Sequence, residues 1–184
     1  QLLAIKEVLP EIKEVKVFSQ PEETGQRFAE KMRARLNLDI HPVETVETAT
    51  QADIVVTTTY ATGPVVKRQY IKPGTHINAI GADAPGKQEL EADLLLKAKI
   101  VIDEAEQAFH SGEINVPLSE GRLKVNDIYC TLGEVAAGMK KGRENDEEIT
   151  IFDSTGLAIQ DIVCAKLVYE KAKRKKTASF NLFD

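Results

Sequence analysis

The chain has 184 residues, which is enough for one domain of ordinary size with a buried core. Apolar residues make up 42% and charged residues 29%, a balance typical of globular proteins and not of disordered or fibrous ones. The formal net charge of -5 excludes a general attraction to nucleic acid or anionic membranes, and no apolar run approaches the ~20 residues that cross a bilayer. We therefore expect neither nucleic acid nor a membrane as a partner.

Strand and helix patterns alternate along the chain. Residues 1–9 resemble the remainder of an amphipathic helix, and further helical patterns cover 21–36, 89–98, 125–140 and 156–175. Segments rich in β-branched residues cover 15–18, 53–59, 75–80, 99–103 and 148–153. This alternation predicts an α/β fold with a doubly wound, mostly parallel sheet that is covered on both faces. Polar residues that follow the strands should then meet in one crevice at the carboxyl edge of the sheet.

The densest polar cluster covers residues 78–89. Its glycines and proline let the backbone approach a ligand closely, with Asp83 in the middle and Lys87 shortly after it. A carboxylate at a strand end can act as a general base or can hold a substrate ammonium. The same residues also fit a plain turn with a solvated lysine, so spacing alone leaves both interpretations open.

Two further clusters follow other strands. Ser154 and Thr155 stand just before a helix, where a hydroxyl can cap the helix or hold a carboxylate or carboxamide, and these roles do not exclude each other. Thr59 ends a run of three threonines and is placed to meet a cofactor at the strand end. Both clusters are expected on the same edge as residues 78–89.

The cysteines and histidines give no sign of a metal site. Cys130 and Cys164 form no CxxC motif, and both are expected to be buried free thiols in a reducing cytoplasm. The three histidines are far apart in the sequence and show no metal-ligand spacing. We therefore predict a cytoplasmic protein without a bound metal.

The segment Gly81–Leu90, with the sequence GADAPGKQEL, resembles the signature of the ornithine cyclodeaminase/mu-crystallin family. Residues 74–80, 112–115 and 153–161 fit the family too, so the resemblance covers nearly the whole chain. It implies that residues 1–176 form a Rossmann-like NAD(P)-binding domain that lacks its first strand and glycine-rich loop. Residues 177–184 would be a tail that returns to a separate N-terminal dimerisation and substrate domain, and the complete protein would be a homodimer.

The resemblance also implies residue roles. Asp83 matches the family's catalytic acid/base, and Thr155 matches a position beside the substrate. The positions that match cofactor contacts are Ser19, Thr59, Ile80, Gly81, Ala82, Lys87 and Ser154. Ser19 stands where NAD-using members often carry an aspartate, and a serine is compatible with either NAD or NADP. No arginine follows Ser19 at once to pair with a 2′-phosphate, so NAD is favoured narrowly over NADP.

The wording of the motifs is closest to the alanine dehydrogenases of the family. This implies an NAD(P)-dependent amino-acid oxidoreductase that converts L-alanine to pyruvate and ammonia by hydride transfer, with a small amino acid or keto acid as substrate. Ornithine cyclodeaminase, which forms proline and ammonia from ornithine, is one alternative, and a ketimine reductase is another. A non-catalytic mu-crystallin-like binding protein is a third. The chain by itself should be inactive, because one wall of the pocket and the phosphate loop would lie outside it.

Overall fold

The computed structural model describes residues 1–173 and residue 175. The predicted tail at 177–184, and the return to another domain that it was expected to make, lie outside the described residues. Within the described part, no helix is both long enough and apolar enough to cross a lipid bilayer.

The first part of the chain forms a small parallel βαβ unit. Its elements are α1 (Leu2–Val8), β1 (Glu14–Val17), α2 (Glu22–Leu36) and β2 (Asp39–Pro42). Two acidic residues in the first turn of α2 and two arginines in its last turn suit the helix dipole, and Asn37 ends the helix in the left-handed conformation. The buried residues Ala29, Met32 and Ile40 hold α2 against the strand pair.

The second part contains the larger sheet and the main core. Its elements are α3 (Val46–Thr50), β3 (Ile54–Thr57), β4 (Thr62–Val66), β5 (His76–Ala79), β6 (Gln88–Leu90), α4 (Ala92–Leu95), β7 (Lys99–Ile102), α5 (Ala105–Ser111), α6 (Asn115–Ser119), β8 (Cys130–Thr131), α7 (Leu132–Ala136), β9 (Thr150–Asp153) and α8 (Ala158–Ala172). The strands β3-β5-β9-β7-β8 form one parallel sheet in that order, and β4 pairs with β6 separately. The core of this part is built on Ile77, Ile100 and Ile151 from its central strands. The predicted doubly wound, mostly parallel α/β fold is confirmed.

Strands β1 and β3 each have one edge without a partner among the described residues. Within residues 1–173 and 175, β1 pairs only with β2, and β3 pairs only with β5. The doubly wound order 3-2-1-4-5-6 places one strand between these two edges, with β2 and β1 on one side of it and β3 on the other. The facing edges of β1 and β3 are therefore the positions at which that order would place a further strand.

Two predicted helices were wrong in extent. In the segment 89–98 the residues Gln88–Leu90 form β6, because their backbone pairs with β4, and only Ala92–Leu95 are helical. In the segment 125–140 the chain forms a short 3-10 turn, then β8, then the five-residue helix α7. Thr131 starts α7 with a capping box to Glu134, so pairing of β8 with β7 overrides the helical pattern before it.

Helix α8 exposes its apolar side chains. The apolar positions predicted to share one face are all more than half exposed, namely Ile159, Ile162, Val163, Leu167 and Val168. Cys164 on the same helix is exposed too, so its predicted burial was wrong, whereas Cys130 at the start of β8 is buried as expected. The described residues thus leave an apolar helix surface without a covering layer.

The α4 region offers a direct test of the core. Leu94 is fully buried in α4, whereas Leu96 at its end is 48% exposed. We expect Leu94→Ala to lower the free energy of unfolding by about 2–5 kcal/mol, because it removes buried methyl groups and leaves a cavity. The matched change Leu96→Ala should cost less than about 1 kcal/mol. Urea denaturation of both variants measures the difference, and equal losses would contradict the assigned core.

Candidate functional site

The loops after β3, β5 and β9 lie side by side at the carboxyl edge of the large sheet. The backbone N–H of Ile80 donates to the carbonyl of Thr57 at 3.0 Å, and the N–H of Ser154 donates to the carbonyl of Ala79 at 3.0 Å. These bonds continue the strand pairing up to the last strand residues. The structure therefore brings three predicted cofactor positions, Thr59, Gly81 and Ser154, onto adjacent loops of one edge.

Asp83 lies exposed on the loop after β5 and forms an ion pair with Lys87. The Lys87 ammonium is 2.5 Å from a carboxylate oxygen of Asp83. The hydrogen bond and the positive charge of Lys87 lower the pKa of the Asp83 carboxyl below its ordinary value. Asp83 is consequently an anion at neutral pH, which suits it to accept a proton or to hold a cationic amine. Lys87 also lies 5.7 Å from the centre of the exposed Tyr60 ring.

Asn115 at the start of α6 pins this loop in place. Its side-chain oxygen accepts the N–H of Gly86 at 3.0 Å, and its side-chain NH₂ donates to the carbonyl of Lys87 at 3.0 Å. Asn115 is almost fully buried, and it also donates to the carbonyl of Gly112. Asn115 lies within the segment 112–115 that fits the family, but its sequence context predicted no role for it. The only signal was that segment, because its partner loop is distant in sequence.

Four acidic side chains are buried near this edge, and from the sequence only one of them, Asp103, was given a role, as an acid that suits a helix dipole. They are Glu89, Asp103, Glu113 and Asp153. Burial raises the pKa of Glu113 well above its ordinary value and that of Asp153 to about 7. Each of the four accepts hydrogen bonds from backbone N–H groups of neighbouring loops. Their partners are distant in sequence and could not be read from spacing.

Thr155 is held by Asp103 and does not cap a helix. The Thr155 hydroxyl donates to the Asp103 carboxylate at 2.9 Å, and the N–H groups of Thr155 and Gly156 donate to the same carboxylate at 2.6 and 2.9 Å. Helix α8 begins only at Ala158 without a side-chain cap, so the predicted capping by Ser154 or Thr155 was wrong. Substrate contact by Thr155 stays a prediction. Because its hydroxyl proton is donated to Asp103, the hydroxyl could meet a substrate only as a hydrogen-bond acceptor.

Ser19 stands apart from the other predicted positions. It lies after β1, in the smaller sheet, where the Cβ of Ser19 would be 3.2 Å from a Cβ placed on Gly25 of α2. Ser19 thus lies against the first turns of α2 at the carboxyl edge of that sheet. Among the described residues, no hydrogen bond joins Ser19 to the loops after β3, β5 and β9.

The groups at this edge fit a dinucleotide better than a metal ion. Hydroxyls of Thr59 and Ser154 suit a ribose or a carboxamide, and the Lys87 ammonium suits an anionic group. The buried hydroxyl of Thr57 has no hydrogen-bond partner in the described part of the chain, and a Cβ on Gly86 would meet open space. No group of three or more His, Cys, Asp or Glu side chains among the described residues could hold a metal.

A parallel sheet with polar loops at its carboxyl edge defines a Rossmann-like domain. The family model for the ornithine cyclodeaminase/mu-crystallin family matches residues 1–176. The chain belongs to this family. It is 52% identical over 180 residues to an alanine dehydrogenase of Archaeoglobus fulgidus. The aligned region covers 97% of this chain and 55% of that protein.

Solved structures agree in fold over most of the chain. An archaeal alanine dehydrogenase dimer with bound NAD superposes with a TM-score of 0.93 at 50% identity, covering 99% of this chain and 56% of that one. The Δ1-pyrroline-2-carboxylate reductase of Thermococcus litoralis, in complex with NADH and L-proline, has a TM-score of 0.90 at 42% identity, covering 94% and 54%. The chain spans about half the length of the relatives it matches.

The ion pair at the loop tip predicts a measurable effect on Asp83. In Lys87→Met the pKa of the Asp83 carboxyl should rise towards its ordinary value, because both the hydrogen bond and the positive charge are lost. A carbon-detected NMR titration of the aspartate carboxyl groups measures this shift. Lys97→Met, which removes another exposed lysine, should leave the titration of Asp83 unchanged. An unshifted Asp83 in Lys87→Met would contradict the pairing.

The buried carboxyl of Asp153 predicts a pH-dependent stability. Its pKa is raised from 3.8 to about 7 in the folded chain, so the folded state binds more protons than the unfolded state between these values. The free energy of unfolding should therefore fall as pH rises from about 4 to 7, by up to about 4 kcal/mol for this group, and stay level above that range.

Denaturant unfolding across this pH range tests the contribution of Asp153. Asp153→Asn should lose that part of the slope, so the stability difference between wild type and variant should shrink as the pH rises towards 7. Asp146→Asn, at an exposed position, leaves the buried carboxyl in place and should keep the wild-type slope. Equal slopes for wild type and Asp153→Asn would overturn the assignment.

Proposed function

We propose that this chain is the dinucleotide-binding part of an NAD(P)-dependent amino-acid oxidoreductase that interconverts L-alanine with pyruvate and ammonia. The observation that carries the proposal is an exposed, anionic Asp83 on a loop of the carboxyl edge, next to the loops that bear Thr59, Gly81 and Ser154. The similarity to the alanine dehydrogenase of Archaeoglobus fulgidus supports this choice of substrate.

The dinucleotide would be held by groups on three adjacent loops. Thr59 offers a hydroxyl after β3, and Ser154 offers one after β9. Between them, Ile80, Gly81 and Ala82 bring their backbone to the edge, and Lys87 supplies a positive charge. When bound, the dinucleotide accepts or donates the hydride at the substrate α-carbon. NAD is favoured over NADP, because Ser19 is not followed by an arginine and both related structures contain NAD or NADH.

Asp83 provides the acid/base chemistry on the substrate. Once the α-carbon has been oxidised, the Asp83 carboxylate takes a proton from the water that adds to the substrate imine. Asp83 returns that proton to the nitrogen of the resulting carbinolamine, the carbon–nitrogen bond breaks, and the hydroxyl proton passes to Asp83 as ammonia and pyruvate leave. The Lys87 ammonium keeps Asp83 anionic and therefore ready to accept that proton. Thr155 would meet the substrate side of the same edge through its hydroxyl oxygen.

A second candidate is the reduction of a cyclic imine. The related Thermococcus litoralis enzyme is a Δ1-pyrroline-2-carboxylate reductase in complex with NADH and L-proline, at 42% identity over 94% of this chain. In that reaction Asp83 would first take up a proton, and its carboxylic acid form would deliver this proton to the imine nitrogen and return to the carboxylate. The substrate pocket of either activity would need residues outside this chain, since the chain spans about half of these relatives.

We further propose that the complete protein is a homodimer of the cytoplasm. The archaeal alanine dehydrogenase is a dimer, and the apolar surface of α8 would be covered in a larger assembly. Both cysteines are free thiols, one of them exposed, which fits a reducing compartment. Sedimentation of the complete protein tests the dimer, and a monomer at micromolar concentration would refute it.

The activity is tested with the complete protein and a panel of substrates. Reduced nicotinamide should be consumed with pyruvate plus ammonia, and formed with L-alanine. Consumption only with Δ1-pyrroline-2-carboxylate would favour the imine reductase. Formation of proline from ornithine without net reduction of the cofactor would identify a cyclodeaminase. Tight dinucleotide binding without any turnover would instead indicate a binding protein.

Asp83→Asn separates chemistry from cofactor binding. We expect kcat to fall by about 10²–10⁴-fold, because an amide cannot accept the proton. The dissociation constant for the dinucleotide, measured by calorimetry, should stay close to that of the wild type. Asp93→Asn removes another exposed carboxylate, one that pairs with Arg122, and should retain full turnover. Undiminished turnover in Asp83→Asn would refute the assigned role.

A further inference from the structure

Glu89 is a fully buried acid that bridges two loops of the candidate site. One carboxylate oxygen accepts the backbone N–H of Thr59 at 2.5 Å, and the other accepts the N–H of Gly81 at 2.9 Å. Regular pairing between β3 and β5 ends just before these residues, with the bond from Ile80 to Thr57. The two oxygens of Glu89 therefore replace the sheet hydrogen bonds at the point where the strands part.

The backbone at Gly81 fits closely around this carboxylate. A Cβ on Gly81 would lie 2.5 Å from the carbonyl oxygen of Thr59 and 2.6 Å from the carboxyl carbon of Glu89. Real Cβ atoms essentially never make contacts this short, and the obstructing atoms are a backbone carbonyl and a pinned carboxylate. Glycine at this position is thus required by the Glu89 bridge, and the two loops are held at one fixed spacing.

Glu89 is itself held by a second buried acid. The Glu113 carboxylate accepts the N–H of Glu89 at 3.0 Å and the N–H of Leu90 at 2.6 Å. Asp153 at the end of β9 in turn accepts the N–H groups of Glu113 and Ile114, at 2.9 and 3.3 Å. A continuous series of carboxylate-to-backbone bonds therefore runs from β9, through the turn before α6, to the ends of β3 and β5.

We propose that Glu89 is a positioning residue for the dinucleotide, which fixes the loops of Thr59 and Gly81 before the cofactor binds. The proposal rests on the proposed function, in which these two loops contact the dinucleotide. Both N–H groups are held by one buried carboxyl group, and the loops lose little further freedom on binding when they are already held. The N–H groups of Thr59 and Gly81 are consumed by Glu89, and the Thr59 hydroxyl oxygen accepts the N–H of Ala61 at 3.2 Å, so the hydroxyl of Thr59 meets the ligand as a hydrogen-bond donor.

The first test replaces the carboxylate in the complete protein. Glu89→Gln keeps the size of the side chain but cannot accept both N–H groups. We expect the dissociation constants for NADH and NADPH, measured by calorimetry, to rise by about tenfold or more. KM for the dinucleotide should rise with them, while kcat at saturation changes much less, because Asp83 and its ion pair remain. Glu89→Asp keeps the carboxyl group but is too short to reach both loops. Its dissociation constants should lie between those of the wild type and those of Glu89→Gln.

The matched control is Glu91→Gln. Glu91 lies two residues further along the chain, and its carboxylate also accepts a backbone N–H, that of Arg68, at 2.8 Å. Removing this bond should leave the dinucleotide affinity unchanged. Arg68 lies between β4 and β5 and not on the loops after β3, β5 and β9 that form the candidate site. Unchanged affinity in a folded Glu89→Gln protein, or an equal loss in Glu91→Gln, would overturn the proposal.

A second test needs no variant. In the wild-type complete protein without dinucleotide, the amide hydrogens of Thr59 and Gly81 should exchange slowly with deuterium, although Thr59 itself is exposed. Rapid exchange that slows only after NADH is added would overturn the positioning role. Protein that binds neither NADH nor NADPH would overturn the proposed function and with it this role of Glu89, and slow exchange of the two amides would then establish the bridge as structural only.

Discussion

Carboxylates that accept backbone N–H groups are the interaction on which the edge of this domain depends. Parallel strands end at different points, and beyond the last pairing their N–H groups must find other acceptors. Here Glu89 supplies those acceptors for the residues after β3 and β5, while Glu113 accepts N–H groups of β6 and Asp153 accepts N–H groups of the turn before α6. Burying an acid is costly, and the raised pKa of Glu113 and Asp153 reflects that cost. These bonds fix the spacing of the loops at the carboxyl edge.

The exposed acid at the same edge has the opposite electrostatic setting. Asp83 is exposed and pairs with the Lys87 ammonium, which lowers its pKa, whereas burial raises the pKa values of Glu113 and Asp153. The acidic side chains at this edge therefore differ in role according to whether they are buried or exposed. The buried ones hold the backbone, and the exposed one is available to exchange protons with a substrate.

The described residues also leave surfaces that a larger protein would use. The edges of β1 and β3 lack neighbours in the described part of the chain, and the apolar side chains of α8 face outwards. Because the relatives are about twice as long, our proposal gives these exposed edges and this apolar surface a common explanation, namely cover by the rest of a larger protein. The carboxyl edge of the large sheet, with the two loops that Glu89 bridges, is nonetheless formed within this chain.

The sequence by itself determined the α/β alternation, the carboxyl edge as the place of the site, and the motif around Asp83. These follow from local periodicity and from one contiguous segment, which is why they could be predicted. Only the tertiary structure decided what surrounds them. The bonds of Glu89 to Thr59, of Glu113 to Glu89 and of Asp103 to Thr155 join residues that are distant in sequence, and no spacing rule connects such partners. The local pattern of β6 and β8 predicted helices for the same reason. In the structure their pairing with remote strands overrides that pattern.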